Sequence, residues 1–113
     1  MTLQAKLRTL YEPFTELDCP VYHYHRAEPS DRYVIWAEDG EESSFHADSR
    51  KAEQQLTGVV DLFTKDEFDS LADDIQEILD AEVAGGSGGW RLESVLYEEE
   101  TNFIHYHWRW YVG

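Results

Sequence analysis

FIHYHWRWYVG, residues 103–113, admits three structural interpretations, and the choice among them sets the fold. Two histidines one residue apart and two tryptophans one residue apart could be metal ligands, a stacking platform for bases, or alternate faces of one strand. In a strand, successive side chains point to opposite sides. Ile104, Tyr106, Trp108, Trp110 and Val112 then share one face, and Phe103, His105, His107, Arg109 and Tyr111 share the other. The first set is apolar or aromatic throughout, which is what a packed sheet face requires.

Working outward, WRLESVLY and the turn EEETN precede this strand and make a long hairpin with it. If partner numbers sum to a constant, Leu96 faces Ile104, Leu92 faces Trp108 and Trp90 faces Trp110 on the buried side. Glu93 then meets His107 and Val95 meets His105 on a half-wet side. Trp90, Leu92, Leu96, Ile104, Trp108 and Trp110 are therefore expected inside. A slip of one residue would set Glu93 against Trp108.

Before the hairpin, Thr64 and Glu67 have the spacing of a capping box, and Phe68, Leu71, Ile75, Ile78 and Leu79 trace an apolar helix stripe. AGGSGG, residues 84–89, ends that helix as a natural loop or an engineered splice. Leu3, Leu7, Leu10 and Phe14 predict a first helix that Pro13 should stop. Strands are expected at about 21–26, 32–38 and 55–64, with Gly58 marking a bulge or a close backbone approach. Asp39-Gly40 reads as a turn, with Ser43–Ala47 a short strand returning from it. The expectation is one α+β domain over residues 1–113. A twisted, mostly antiparallel sheet of about four to five strands ends in the C-terminal hairpin, with helices at about 2–12 and 66–82 on one face.

Composition narrows function. Twenty-four acidic against nine basic residues give a formal charge of −15. Nucleic-acid affinity comes largely from Lys and Arg, so direct nucleic-acid binding is not expected despite the WRWY run. Cys19 is the lone cysteine, no run approaches the length of a membrane span, and the N-terminus lacks a signal-peptide core. The expected location is a cytoplasm.

Two His-x-His pairs, His23 with His25 and His105 with His107, could each offer two imidazoles to an ion, as cupin strands do. The glutamate and third histidine of a cupin are missing at useful positions, so the imidazoles are read as surface or partly packed groups with no metal ligand assigned. Acidic clusters Glu38, Asp39, Glu41, Glu42 and Glu98, Glu99, Glu100 lack a calcium-loop pattern and read as solvated turns able to meet a basic partner. No nucleophile elbow or phosphate loop is present, so neither catalytic residues nor a cofactor are expected.

RYVIWAEDGEESSFHADSRKAEQ, LTGVVDLFTKDEFD, DDIQEILDA and WRLESVLYEEETNFIHYHW together resemble small tail components of long-tailed bacteriophages and prophages, related to the tail terminators. The resemblance implies a structural virion protein that assembles as a ring, commonly six-fold, at the head-proximal end of the tail. There it would end tube growth and join tail to head. Implied partners are further copies of itself, the tail-tube protein and head–tail connector proteins, with no membrane. Implied locations are the host cytoplasm during assembly and then the virion tail. Arg26, Arg32, Arg50 and Lys51, beside expected strand ends, are candidates to contact a neighbour's acidic loops. The competing classes are an acidic DNA-mimic inhibitor and a small His-x-His metal protein.

Overall fold

The computed structural model describes residues 2–47, 50–83 and 89–113, and at 42–47 and 50–53 the backbone alone. Elements run α1 (Leu3–Thr15), β1 (Val21–His23), β2 (Arg32–Ala47), β3 (Arg50–Thr64), α2 (Ser70–Val83), β4 (Gly89–Glu98) and β5 (Phe103–Val112). One five-stranded sheet has the order β1-β2-β3-β5-β4. It is mixed, because β1 pairs parallel with β2 while the other neighbours are antiparallel. The fold class is α+β, with β4 and β5 forming the C-terminal hairpin.

Both helices contribute to the core on a single sheet face. Val34 and Trp36 of β2, Leu56, Val60 and Leu62 of β3, and Trp108, Trp110 and Val112 of β5 meet Leu10, Phe14, Leu71, Ile75, Leu79 and Val83 of the helices. The α2 side chains recur every four residues, as one helix stripe must. Burying each is worth about 1.5–3 kcal/mol. Trp108 donates its indole N–H to Gln76 at 3.1 Å, which anchors α2 over β5.

The helix boundaries differ from those read in sequence. Helix α1 starts at Leu3, capped by Thr2, whose hydroxyl accepts from the Ala5 N–H, and runs through Pro13 to Thr15. A proline in the last turn removes only one hydrogen bond, so the helix survives it. Helix α2 starts at Ser70 instead of about 66, because Asp69 is its cap: Asp69 Oδ1 accepts from Leu71 N at 2.9 Å. The Thr64–Glu67 capping box therefore does not form; the Thr64 hydroxyl donates to Asp69 instead.

Phe68 is not part of the stripe. It sits in the loop before α2 at φ +56° and is 97% exposed. A left-handed backbone disfavours a Cβ-bearing residue. Phe68→Gly is expected to raise stability by about 0.5–1 kcal/mol, measured by urea unfolding; a loss of stability would mean the ring has a buried role.

Strand limits also shift. Strand β1 ends at His23 because Tyr24 adopts φ +80°, so His25 lies outside it. Strand β2 does not turn at Asp39-Gly40. It continues to Ala47, with register shifts between Glu38 and Gly40, Glu41 and Ser43, and Phe45 and His46. Gly40, at φ +144°, absorbs the first of these as a bulge. The segment 43–47 continues the outgoing strand, and the returning strand begins at Arg50. Since β5 ends opposite Leu56, the outer part of β2–β3 projects past the sheet as a two-stranded ribbon. The molecule measures 53 × 23 × 23 Å. Most of AGGSGG, residues 84–88, lies outside the described residues.

In the hairpin, Trp108 pairs with Leu92 and Trp110 with Trp90, as read in sequence. Beyond them a bulge at Glu93 moves the register by one, so Ser94 faces His107, Val95 faces Tyr106, Leu96 faces His105 and Tyr97 faces Ile104. Trp108 and Trp110 are fully buried, and Trp90 packs half-buried beside them. Ile104 is half-buried, while Leu92 and Leu96 are exposed. The interior assignment fails for those two leucines: β4 is an edge strand, and the bulge moves Leu96 to the open face.

Candidate functional site

The face of the sheet away from the helices carries the chemistry. Its strands bring Asp61 of β3 opposite His107 of β5, with His105 one step along opposite Phe63. Asp61 Oδ1 lies 2.7 Å from His105 Nε2 and 2.6 Å from His107 Nδ1. The other nitrogen of His107, Nε2, is 3.2 Å from Glu93 Oε1. Phe63 stacks on His105 with centroids 4.1 Å apart, which restrains the ring. All four polar side chains are partly exposed, between 16% and 27%.

Arg109 closes one side of the cluster. Its guanidinium donates to Asp39 at 3.0 Å and to the Thr57 hydroxyl at 2.9 Å, with Nε 3.5 Å from Glu93. Burial would raise the Glu93 pKa, but the hydrogen bond from Arg91 and the charges of Arg109, Arg91 and His107 outweigh it and keep the carboxyl ionised. On the other side lies an aromatic group. Tyr33 stacks on Phe63 at 4.9 Å, Phe103 meets both edge-on, and Arg26 and Lys65 sit over Tyr33 and Phe103.

The second His-x-His pair is elsewhere. Strands β2 and β3 separate β1 from β5, so four histidines cannot share one ion. His23 stacks between Trp36 and Tyr24 and bonds Glu38 at 2.8 Å; Tyr24 donates its hydroxyl to the same carboxylate. Burial would raise the Glu38 pKa, yet these hydrogen bonds lower it below the usual range.

The interface candidates scatter. Arg32 is committed within the molecule: it forks onto Asp69 at 2.8 and 2.6 Å. Glu38 is held by His23 and Tyr24, and Asp39 by Arg109. Glu41 accepts from Gln54 on the ribbon. Glu98 ends β4, and its carbonyl accepts from Thr101 and Asn102 in the turn that carries exposed Glu99 and Glu100. Arg26 is exposed beside Tyr33. The side chains of Glu42, Arg50 and Lys51 lie outside the described residues.

The expected pairing of Glu93 with His107 is replaced by Ser94 with His107, and Glu93 reaches the ring from the bulge; Asp61 was not among the expected residues. An acid inside the apolar run GVVDLF was the available signal; naming its partners required knowing that β3 pairs with β5. Cys19 is half-buried, and burial, opposed by Arg32, pushes its thiol up to about 11, so it is a poor nucleophile. No helix among the described residues is long and apolar enough to cross a membrane. No protein-family model matches the chain, and no curated protein matches it.

Proposed function

We infer that this chain is a structural virion protein of a long-tailed phage or prophage, assembling at the head-proximal end of the tail to terminate the tube and join it to the head. Strand β4 carries the reading. It is a ten-residue edge strand whose outer backbone has no neighbour in the sheet among the described residues. It also exposes Leu92, Val95, Leu96 and Tyr97, the last at 60%. Arg91, Glu93 and the bulge blunt one end of this edge, whereas residues 94–97 carry no charge, proline or bulge, and an open apolar strand is a template for pairing. An edge used by a different surface of the next copy gives a ring when the rotation closes. The projecting β2–β3 ribbon adds reach toward a neighbour, since two strands alone gain little stability and are served by a partner surface. The −15 charge opposes assembly in dilute solution and favours assembly on a tail tube already in place.

Leu96→Lys combined with Tyr97→Lys tests this in the native phage or prophage. Both side chains are exposed, so melting should change little. The yield of completed particles should fall at least tenfold, and electron microscopy should show tails of uncontrolled length or unjoined heads. Unchanged particle yield and tail length would reject the reading. Salt-sensitive binding to a DNA-handling enzyme, with normal tails, would favour the inhibitor class instead.

A further inference from the structure

We propose that Asp61, His105 and His107 bind one divalent transition-metal ion, with zinc the best fit, and that Glu93 orients His107 to receive it. The three side chains each present a ligand atom, and these atoms all lie within 4.8 Å of one another. Two imidazoles and one carboxylate are a borderline donor set suited to zinc, leaving a fourth position for water or another donor.

The contacts of His107 point the same way. Nδ1 faces Asp61 at 2.6 Å, and Nε2 faces Glu93 at 3.2 Å. A neutral imidazole has one N–H and one lone pair, so satisfying both carboxylates takes a second cation on the ring, either a proton or a metal ion. With a metal ion on Nδ1, Nε2–H donates to Glu93, while Nδ1 and Asp61 both become ligands. A carboxylate behind a metal-bound imidazole is the usual device that fixes tautomer and ring orientation.

Asp61 Oδ1 also draws in His105 Nε2, so two nitrogens converge on a single oxygen. Zinc–nitrogen bonds of about 2.0–2.1 Å in a tetrahedron put ligand atoms roughly 3.3 Å apart. The present separations of 2.6 and 2.7 Å therefore need only to open slightly. Rotation about the broad terminal torsions of Asp and His supplies this.

Local charge permits the ion. Arg109 offsets Asp39 and Arg91 offsets Glu93, each within about 3 Å, which leaves the Asp61 charge for the metal. The bulge after Leu92 gives β4 the extra residue that sets Glu93 beside His107, and bulges commonly re-aim a side chain in this way.

The test uses the whole chain without a polyhistidine tag, stripped with chelator and titrated with cobalt and then zinc at neutral pH. One cobalt per chain should bind with visible d–d absorption, and one zinc should displace it. His105→Ala, His107→Ala and Asp61→Ala should each weaken zinc binding at least about 100-fold, and Glu93→Gln by about 10–100-fold. His23→Ala, on the other sheet face, should bind as the parent does. Circular dichroism melting checks that each variant is folded, and His107→Gln replaces His107→Ala if the latter melts early. Absence of one-to-one binding, or affinity unchanged in the His105 and His107 variants, overturns the site. Unchanged affinity in Glu93→Gln overturns the orienting role. The titration reads the isolated chain, so its outcome is separate from that of the tail-assembly experiment.

Discussion

Asp69→Ala is expected to destabilise the protein by about 3 kcal/mol, because it removes a buried carboxylate from a half-exposed arginine, leaves the buried Thr64 hydroxyl without its acceptor and uncaps a helix in one step. The Asp69 side chain is 1% exposed and holds Arg32 in a two-pronged contact. It also accepts from the Thr64 hydroxyl at 2.7 Å and the Leu71 N–H at 2.9 Å. Removing it leaves Arg32 without its counter-charge, Thr64 without its acceptor and α2 without its N-cap. Since α2 covers Trp108 and Trp110, the loss spreads into the core. Asp69→Asn keeps the capping oxygen and should cost less than Asp69→Ala.

The same carboxylate sets a pH dependence. Burial alone would raise its pKa, but hydrogen bonds from Arg32, Thr64 and Leu71 together outweigh burial and lower it from 3.8 to about 2. A depressed carboxylate contributes stability that is complete above its unfolded value and disappears as pH falls through its folded value. About 2 kcal/mol should therefore be lost between roughly pH 4 and pH 2 in the parent protein. Asp69→Asn has no such group, so its stability difference from the parent should shrink over that window. Urea unfolding at several pH values between 7 and 2 reads this directly. Parallel curves for the two proteins would show that Asp69 is not the group responsible.

Gly58→Ala is the second large effect, with an expected cost of about 3 kcal/mol. A Cβ there would fall inside contact with Trp110 Cζ2 and the Ala37 carbonyl oxygen, and 2.7 Å from Trp110 Cε2. Neither neighbour can retreat cheaply. The indole is fully buried in the core, and the carbonyl belongs to β2, which pairs with β3. Trp110 already tolerates a buried Nε1–H without a partner among the described residues, so its position is held by packing alone. The melting temperature should fall by on the order of 10 °C. Gly89→Ala is the matched control, because a Cβ at 89 meets nothing within 4 Å. Similar melting of the two variants would place the Trp110 ring away from Gly58.

Local patterns carried much of this fold. The two-residue alternation of β5 named Trp108 and Trp110 as core, and the same alternation put His105 and His107 together on the opposite side. The close backbone approach expected at Gly58 exists because Trp110 lies opposite it. Sequence pattern and structure part where a local signal competes with a distant partner. Thr64–Glu67 has the form of a capping box, but Asp69 is the residue that can bind both Arg32 and the helix N-terminus. Asp39-Gly40 has the form of a turn, but pairing with β3 carries β2 straight through it, and glycine serves as a bulge.

Periodicity over a few neighbouring residues was enough to give the α+β class, the Leu71–Ile75–Leu79 helix stripe and the apolar face of β5. Which strand lies beside which is a property of the assembled sheet. That order leaves β4 at an open edge and sets Asp61, 44 and 46 residues away in the chain, against His105 and His107. Pairing across such distances depends on closing long loops and burying one shared face, and no local pattern encodes the result.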